Sequence, residues 1–112
     1  MEQRYFEYIM TNDRQTVLYT GVTGNLARRV FEHRTHAIPG FSTRYNVGKL
    51  VFYQEFPDPA AAIAREKQLK GWRREKKLAL IGKTNAAWVD LSRDWYDLEP
   101  ADYRRALDRM DA

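Results

Sequence analysis

The fold is decided in residues 5–33, YFEYIMTNDRQTVLYTGVTGNLARRVFEH. Residues 5–10 are aromatic and β-favouring and read as a strand. Residues 11–15, TNDRQ, make a polar turn, and residues 16–20, TVLYT, return as the second arm of a hairpin. Gly21 and Gly24 end that arm. Asn25 is placed to cap a helix running to about Arg34, with Leu26, Val30 and His33 at helical spacing.

Outward from this stretch the signals stay short and regular. Residues 37–48, AIPGFSTRYNVG, hold Pro, Gly, Ser and Asn and read as a loop. Residues 49–56, KLVFYQEF, are the clearest strand in the chain. Asp58 can cap a helix that Pro59 opens, running to about Lys70 and stopping near Gly71. A further helix covers residues 73–81, a loop follows around Thr84 and Asn85, and Pro100 opens a last helix over residues 101–110. Tyr103, Ala106, Leu107 and Met110 line one side of that helix. Three strands among helices imply an α+β fold, a small antiparallel sheet flanked by helices. Residues 1–98 are expected to form one domain, with residues 99–112 a helix packed on it.

A chain of 112 residues fits one compact domain, and 44% hydrophobic with 13% aromatic residues is enough to build its core. There is no cysteine, which excludes disulfides, thiolate zinc sites and thiol nucleophiles together. No apolar run approaches the roughly 20 residues of a membrane span, and the N-terminus lacks a signal-peptide layout, so a cytoplasmic protein is expected. The net charge of +4 is unevenly spread. Residues 37–83 carry ten Lys/Arg against four Asp/Glu, whereas residues 84–112 carry four against seven. Either a solvated helix surface or a face built for a polyanion satisfies that pattern.

Three sets of residues look chemical. Helical projection puts Glu66 inside the apolar arc of Ala62, Ile63 and Leu69, so its carboxylate must be paired, metal-bound or protonated. An ion pair with Lys70, four residues on, is one solution. Arg29 and His33 lie one helical turn apart, and two cationic groups together invite an anion. Tyr8 and Tyr19 occupy adjacent arms of the hairpin, where tyrosines usually pack. Singly, none of these is specific.

Their joint spacing is. Tyr19-Thr20-Gly21 follows Tyr8 by eleven residues, Arg29 follows Tyr19 by ten and His33 by four more, and Glu66 stands on a later helix. With YTGVTGNLARRVFEH, KLVFYQEF and AREKQLKGWRREKKLALI in order, the chain resembles the GIY-YIG nucleases, most closely their small stand-alone bacterial members. The resemblance covers residues 5–95. Phe6-Glu7-Tyr8 stands where the GIY tripeptide would, without its glycine. The resemblance implies Tyr8, Tyr19, Arg29, His33, Glu66 and Asn85 as catalytic residues, with Glu66 the ligand of Mg²⁺ or Mn²⁺. Asn85 lies nineteen residues beyond Glu66.

What the resemblance implies chemically is metal-dependent hydrolysis of a DNA phosphodiester. Arg29 would fork onto phosphate oxygens, and the cation on Glu66 would act as Lewis acid. Tyr8 would be the base, its pKa, ordinarily near 10, lowered by cationic neighbours. His33 would relay the proton, and Tyr19 would position water or phosphate. Lys67, Lys70, Arg73 and Arg74 belong to a basic run suited to phosphates. Arg44 and Tyr45, beside Phe41, suit the stacking of unpaired bases, which favours single-stranded or branched DNA. So small a domain would draw specificity from a homodimer, a protein partner or an unusual DNA structure. A nucleic-acid-binding module with this fold and no catalysis is the alternative.

Overall fold

A computed structural model describes residues 3–96. In chain order it contains strands β1 (Tyr5–Thr11) and β2 (Leu18–Thr23), helix α1 (Leu26–Thr35), a short helix α2 (Phe41–Arg44), strand β3 (Lys49–Phe56), and helices α3 (Pro59–Lys70) and α4 (Arg74–Thr84). The three strands form one antiparallel sheet in the order β2-β1-β3, so β1 is central. This is the α+β architecture that the sequence implies.

Alternation along β1 divides the core in two. Tyr8 and Met10 pack with Leu26, Val30, Val47 and Leu50 on the α1 side. Ile9 packs with Val51, Phe52, Leu69 and Ile81 on the side of α3 and α4. The pairing of β1 with β3 shifts once: Ile9 faces Phe52 and Met10 faces Leu50, leaving Val51 as the extra residue of a bulge. Polar groups from the chain beyond α4 meet the outer edge of β3 there. Leu50 donates its N–H to Asp90 Oδ1 at 3.2 Å and accepts from Leu91 N–H at 2.8 Å. Asn85 Nδ2 donates to Val51 O at 3.2 Å.

The expected caps are present. Asn25 Oδ1 accepts from Arg28 N–H, and Asp58 Oδ1 from Ala61 N–H ahead of Pro59 at the helix start. Three boundaries differ. The returning strand runs through Gly21 to Thr23 instead of ending at Thr20, because Gly21 pairs with Tyr8. Residues 37–48 are not all loop, since Phe41–Arg44 closes one helical turn. The helix expected over residues 73–81 continues through Gly82 to Thr84. Ile63, expected in the apolar arc of α3, is exposed, whereas Ala62 and Leu69 are buried. The expected C-terminal helix over residues 101–110 lies outside the described residues. Among the described residues no helix is long and apolar enough to cross a membrane.

Candidate functional site

Gly21 explains how the site is assembled. A Cβ there would stand 2.6 Å from the Tyr8 hydroxyl oxygen and 2.7 Å from its Cζ, so the Tyr8 ring packs directly over Gly21 of β2. That pose carries the Tyr8 hydroxyl to His33, where it meets Nε2 at 2.9 Å. Both residues are buried. Tyr19, opposite Met10 on β2, sets its ring edge against His33 with centroids 4.9 Å apart, and lies 6.1 Å from the Tyr8 ring. Arg29, one helical turn before His33, is 40% exposed and so able to meet a ligand.

Burial governs the protonation of this cluster. His33 is pushed down to about 4, first by desolvation and then by the charges of Arg29 and His36. It is therefore neutral at pH 7. A neutral ring that carries its proton on Nδ1 would accept at Nε2 the hydrogen bond that Tyr8 donates. Tyr8 is raised above the ordinary tyrosine value by burial and then by Tyr19, against the opposing pull of Arg29. The expectation that cationic neighbours lower Tyr8 is thus corrected: desolvation outweighs the guanidinium.

Beside these rings lies a pocket of about 90 Å³ bordered by Tyr19, Arg29, Glu32, His33, Phe41 and Ser42. Small-molecule sites usually exceed roughly 300 Å³, so this one suits a single small group of a larger ligand. Glu32 is the residue that the sequence reading missed. It holds Arg29 Nε at 3.5 Å and Arg28 Nε at 3.8 Å, a pairing already implicit in the three- and four-residue spacings. From the pocket an aromatic series leads outward. Phe41 lies 5.8 Å from Tyr19 and 4.7 Å from Tyr45, both centroid to centroid, and the Arg44 guanidinium sits 5.4 Å from the Tyr45 ring centre. Phe41 and Tyr45 are 45% and 40% exposed, so their faces are open to a partner.

The remaining candidates fall elsewhere. Glu66 sits one turn from both Ala62 and Leu69, hence on the sheet-facing side of α3, and pairs with Lys70 Nζ at 2.8 Å. It acts electrostatically on Glu7, whose side chain leaves β1 on the face opposite Tyr8. Glu7 is fully buried, neither of its oxygens has a hydrogen-bond partner, and desolvation followed by Glu66 raises it to about 8 against the pull of Arg65. Two adjacent carboxylates of this kind fit Mg²⁺, which takes one or two carboxylates plus water. Among the described residues no group of three or more His, Asp or Glu could hold a metal ion. Asn85 spends its amide on the backbone, donating to Val51 O and Val89 O and accepting from Val89 N–H.

Lys67, Lys70, Arg73 and Arg74 are exposed around the α3–α4 elbow. Arg74 donates to Gln15 O at 3.0 Å, which ties the elbow to the β1–β2 turn. Trp72, inside this run, packs on the second core beneath Arg65 and Lys76, 5.2 and 4.3 Å from its ring centre.

Residues 4–79 match the family described as the GIY-YIG catalytic domain. A UPF0213 protein of Haloquadratum walsbyi is 34% identical over 84 residues, covering 71% of this chain and 89% of its own. One from Natronomonas pharaonis is 34% identical over 85 residues, covering 72% and 94%. The solution NMR structure of a UPF0213 protein from Bacillus halodurans superposes with a TM-score of 0.51 at 22% identity, covering 81% of this chain and 97% of that one, and shows the same fold.

Proposed function

The chain belongs to the GIY-YIG family, among its UPF0213 proteins, and on that premise we propose that it hydrolyses DNA phosphodiester bonds with the help of a divalent cation. The observation that carries this reading is the buried Tyr8–His33 hydrogen bond of 2.9 Å beside a pocket lined by Arg29. A permanently charged guanidinium at a small pocket binds one phosphate and stabilises the charge that builds on it. The attacking water passes its proton to the Tyr8 oxygen while Tyr8 passes its own to Nε2 of neutral His33. The water oxygen bonds to phosphorus, and the bond to the departing oxygen breaks, that oxygen taking a proton from solvent. Tyr19 borders both the ring pair and the pocket and so keeps the water in line. Glu66 is the residue that would hold a divalent cation, Mg²⁺ or Mn²⁺, and such an ion would add positive charge for the DNA on the α3 side of the sheet, while Arg29 supplies it at the pocket.

The exposed series Phe41–Tyr45 supports a preference for unpaired bases, which stack on such faces, and hence for single-stranded or branched DNA. A homodimer or protein partner would supply specificity beyond that. The second reading, a nucleic-acid-binding module without catalysis, is favoured by one observation: Glu66 is engaged by Lys70 on the α3 face, away from the tyrosine pair. Both readings share recognition of nucleic-acid phosphate. They part in a cleavage assay over single-stranded, duplex, flap and junction DNA with Mg²⁺ or Mn²⁺. Wild type should cut, and Tyr8→Phe should lose about a hundred- to ten-thousandfold in rate while binding DNA as wild type does in Ca²⁺. Salt-sensitive binding without cleavage by wild type would establish the second reading instead.

A further inference from the structure

Glu7 stands where packing does not explain it. It is 0% exposed in the central strand, on the sheet face whose core holds Ile9, Leu69 and Ile81, where an aliphatic side chain would be the ordinary choice. A buried carboxylate needs hydrogen bonds, a proton or a cation, and both Glu7 oxygens lack hydrogen-bond partners among the described residues. The nearest guanidinium is committed elsewhere. Arg65 donates to Gln54 Oε1 at 3.3 Å and Gln68 Oε1 at 2.6 Å and lies over Trp72, so its charge acts on Glu7 without a contact. On the same side of the sheet Glu66 brings a second carboxylate. Like charges brought together out of water are costly unless something positive lies between them. Among the described residues Lys70 pairs with Glu66, and its side chain is 57% exposed, so it can swing out to water.

We propose that Glu7 and Glu66 together hold one divalent cation between β1 and α3, with Lys70 occupying Glu66 when no cation is present. The proposal rests on the reading of Glu66 as a cation ligand and deepens it by adding a second ligand from the opposite wall. Two carboxylates and several waters are the ordinary coordination of Mg²⁺ and acceptable to Mn²⁺. The displaced lysine makes cation binding a competition, which sets the affinity below that of two free carboxylates.

The test is calorimetric titration of the full chain with Mn²⁺, together with melting curves in Mg²⁺ or chelator. Wild type should bind one Mn²⁺ per chain and melt higher as Mg²⁺ rises, because the ion binds only the folded form. Glu7→Gln and Glu66→Gln should each weaken Mn²⁺ at least about tenfold, the size of a single lost ligand interaction of roughly 1.4 kcal/mol. Glu7→Val should bind none, yet melt above wild type in chelator, which shows that it folds. Lys70→Gln should bind several-fold more tightly. A wild-type protein that takes up no Mn²⁺, or a Glu7→Val protein that binds it like wild type, overturns the proposal. The DNA-cleavage assay run in parallel keeps the two questions apart. Cleavage with no role for Glu7 in Mn²⁺ binding sinks this proposal alone. Mn²⁺ bound through both carboxylates without cleavage sinks the hydrolytic reading alone.

Discussion

His33 and Tyr8 show that burial, not charge, sets the chemistry of individual side chains here. With His33 held near 4, activity at saturating cation should be flat across neutral pH and fall only as pH drops toward that value. A tyrosine lowered by cationic neighbours would instead give a rate rising through neutral pH, so the profile separates the two accounts. Arg29 is the complementary case, because its work is geometric. Arg29→Lys keeps the charge and loses the fork, and should lose roughly a hundred- to thousandfold in turnover with little change in melting temperature. If the lysine variant cleaves at the wild-type rate, Arg29 acts only as a point charge. Residue types and spacing along the chain were enough to group Tyr8, Tyr19, Arg29 and His33. They did not reveal Glu32 in the pocket or the orphaned Glu7, because a carboxylate looks solvated until the element opposite it is known.

At the scale of elements, the β1–β2 hairpin and α1 form the frame of the pocket, and Gly21 is where they meet. Gly21→Ala puts a methyl group against a rigid ring at 2.6–3.0 Å, with no flexible end to give way. The ring must lift, at a cost of about 1–3 kcal/mol for overpacking, and its hydroxyl leaves His33. The expected result is a melting temperature lowered by several degrees together with a large loss of cleavage. Unchanged stability and rate would mean that the ring does not lie where the structure puts it. Gly21 reads as a strand breaker in the sequence because a glycine's local preference is visible there and the ring above it is not. The caps Asn25 and Asp58 were legible because a cap acts within a few residues. Asn85 was legible as unusual but not in its role: its partners Val51 and Val89 include a strand 34 positions away. The turn Phe41–Arg44 was hidden in a stretch rich in loop formers, its buried Ser42 giving no periodic signal.

For the whole molecule, two of the shifted groups, His33 and Glu7, pull stability in opposite directions with pH. His33 is depressed to about 4 in the fold from an ordinary value of 6.5. The unfolded chain therefore takes up that proton more readily, and stability present above about 6.5 is lost as pH falls toward 4. Glu7 is raised from 4.5 to about 8. It favours the fold while protonated, so its contribution is full below about 4.5 and is lost as pH rises through 8. In chelator, melting temperature should peak in mildly acidic solution and decline on both sides. Glu7→Val should flatten the alkaline decline and leave the acid one, and an unaltered alkaline limb in that variant would mean that Glu7 does not titrate in this range. A last consequence comes from the bulge at Val51. A three-stranded sheet has two open edges, and an open edge is a template on which another chain can add a strand and begin to aggregate. At this bulge the Leu50 N–H, the Leu50 C=O and the Val51 C=O are already taken by Asp90, Leu91 and Asn85, so a second molecule finds those three groups occupied when it would extend the sheet there.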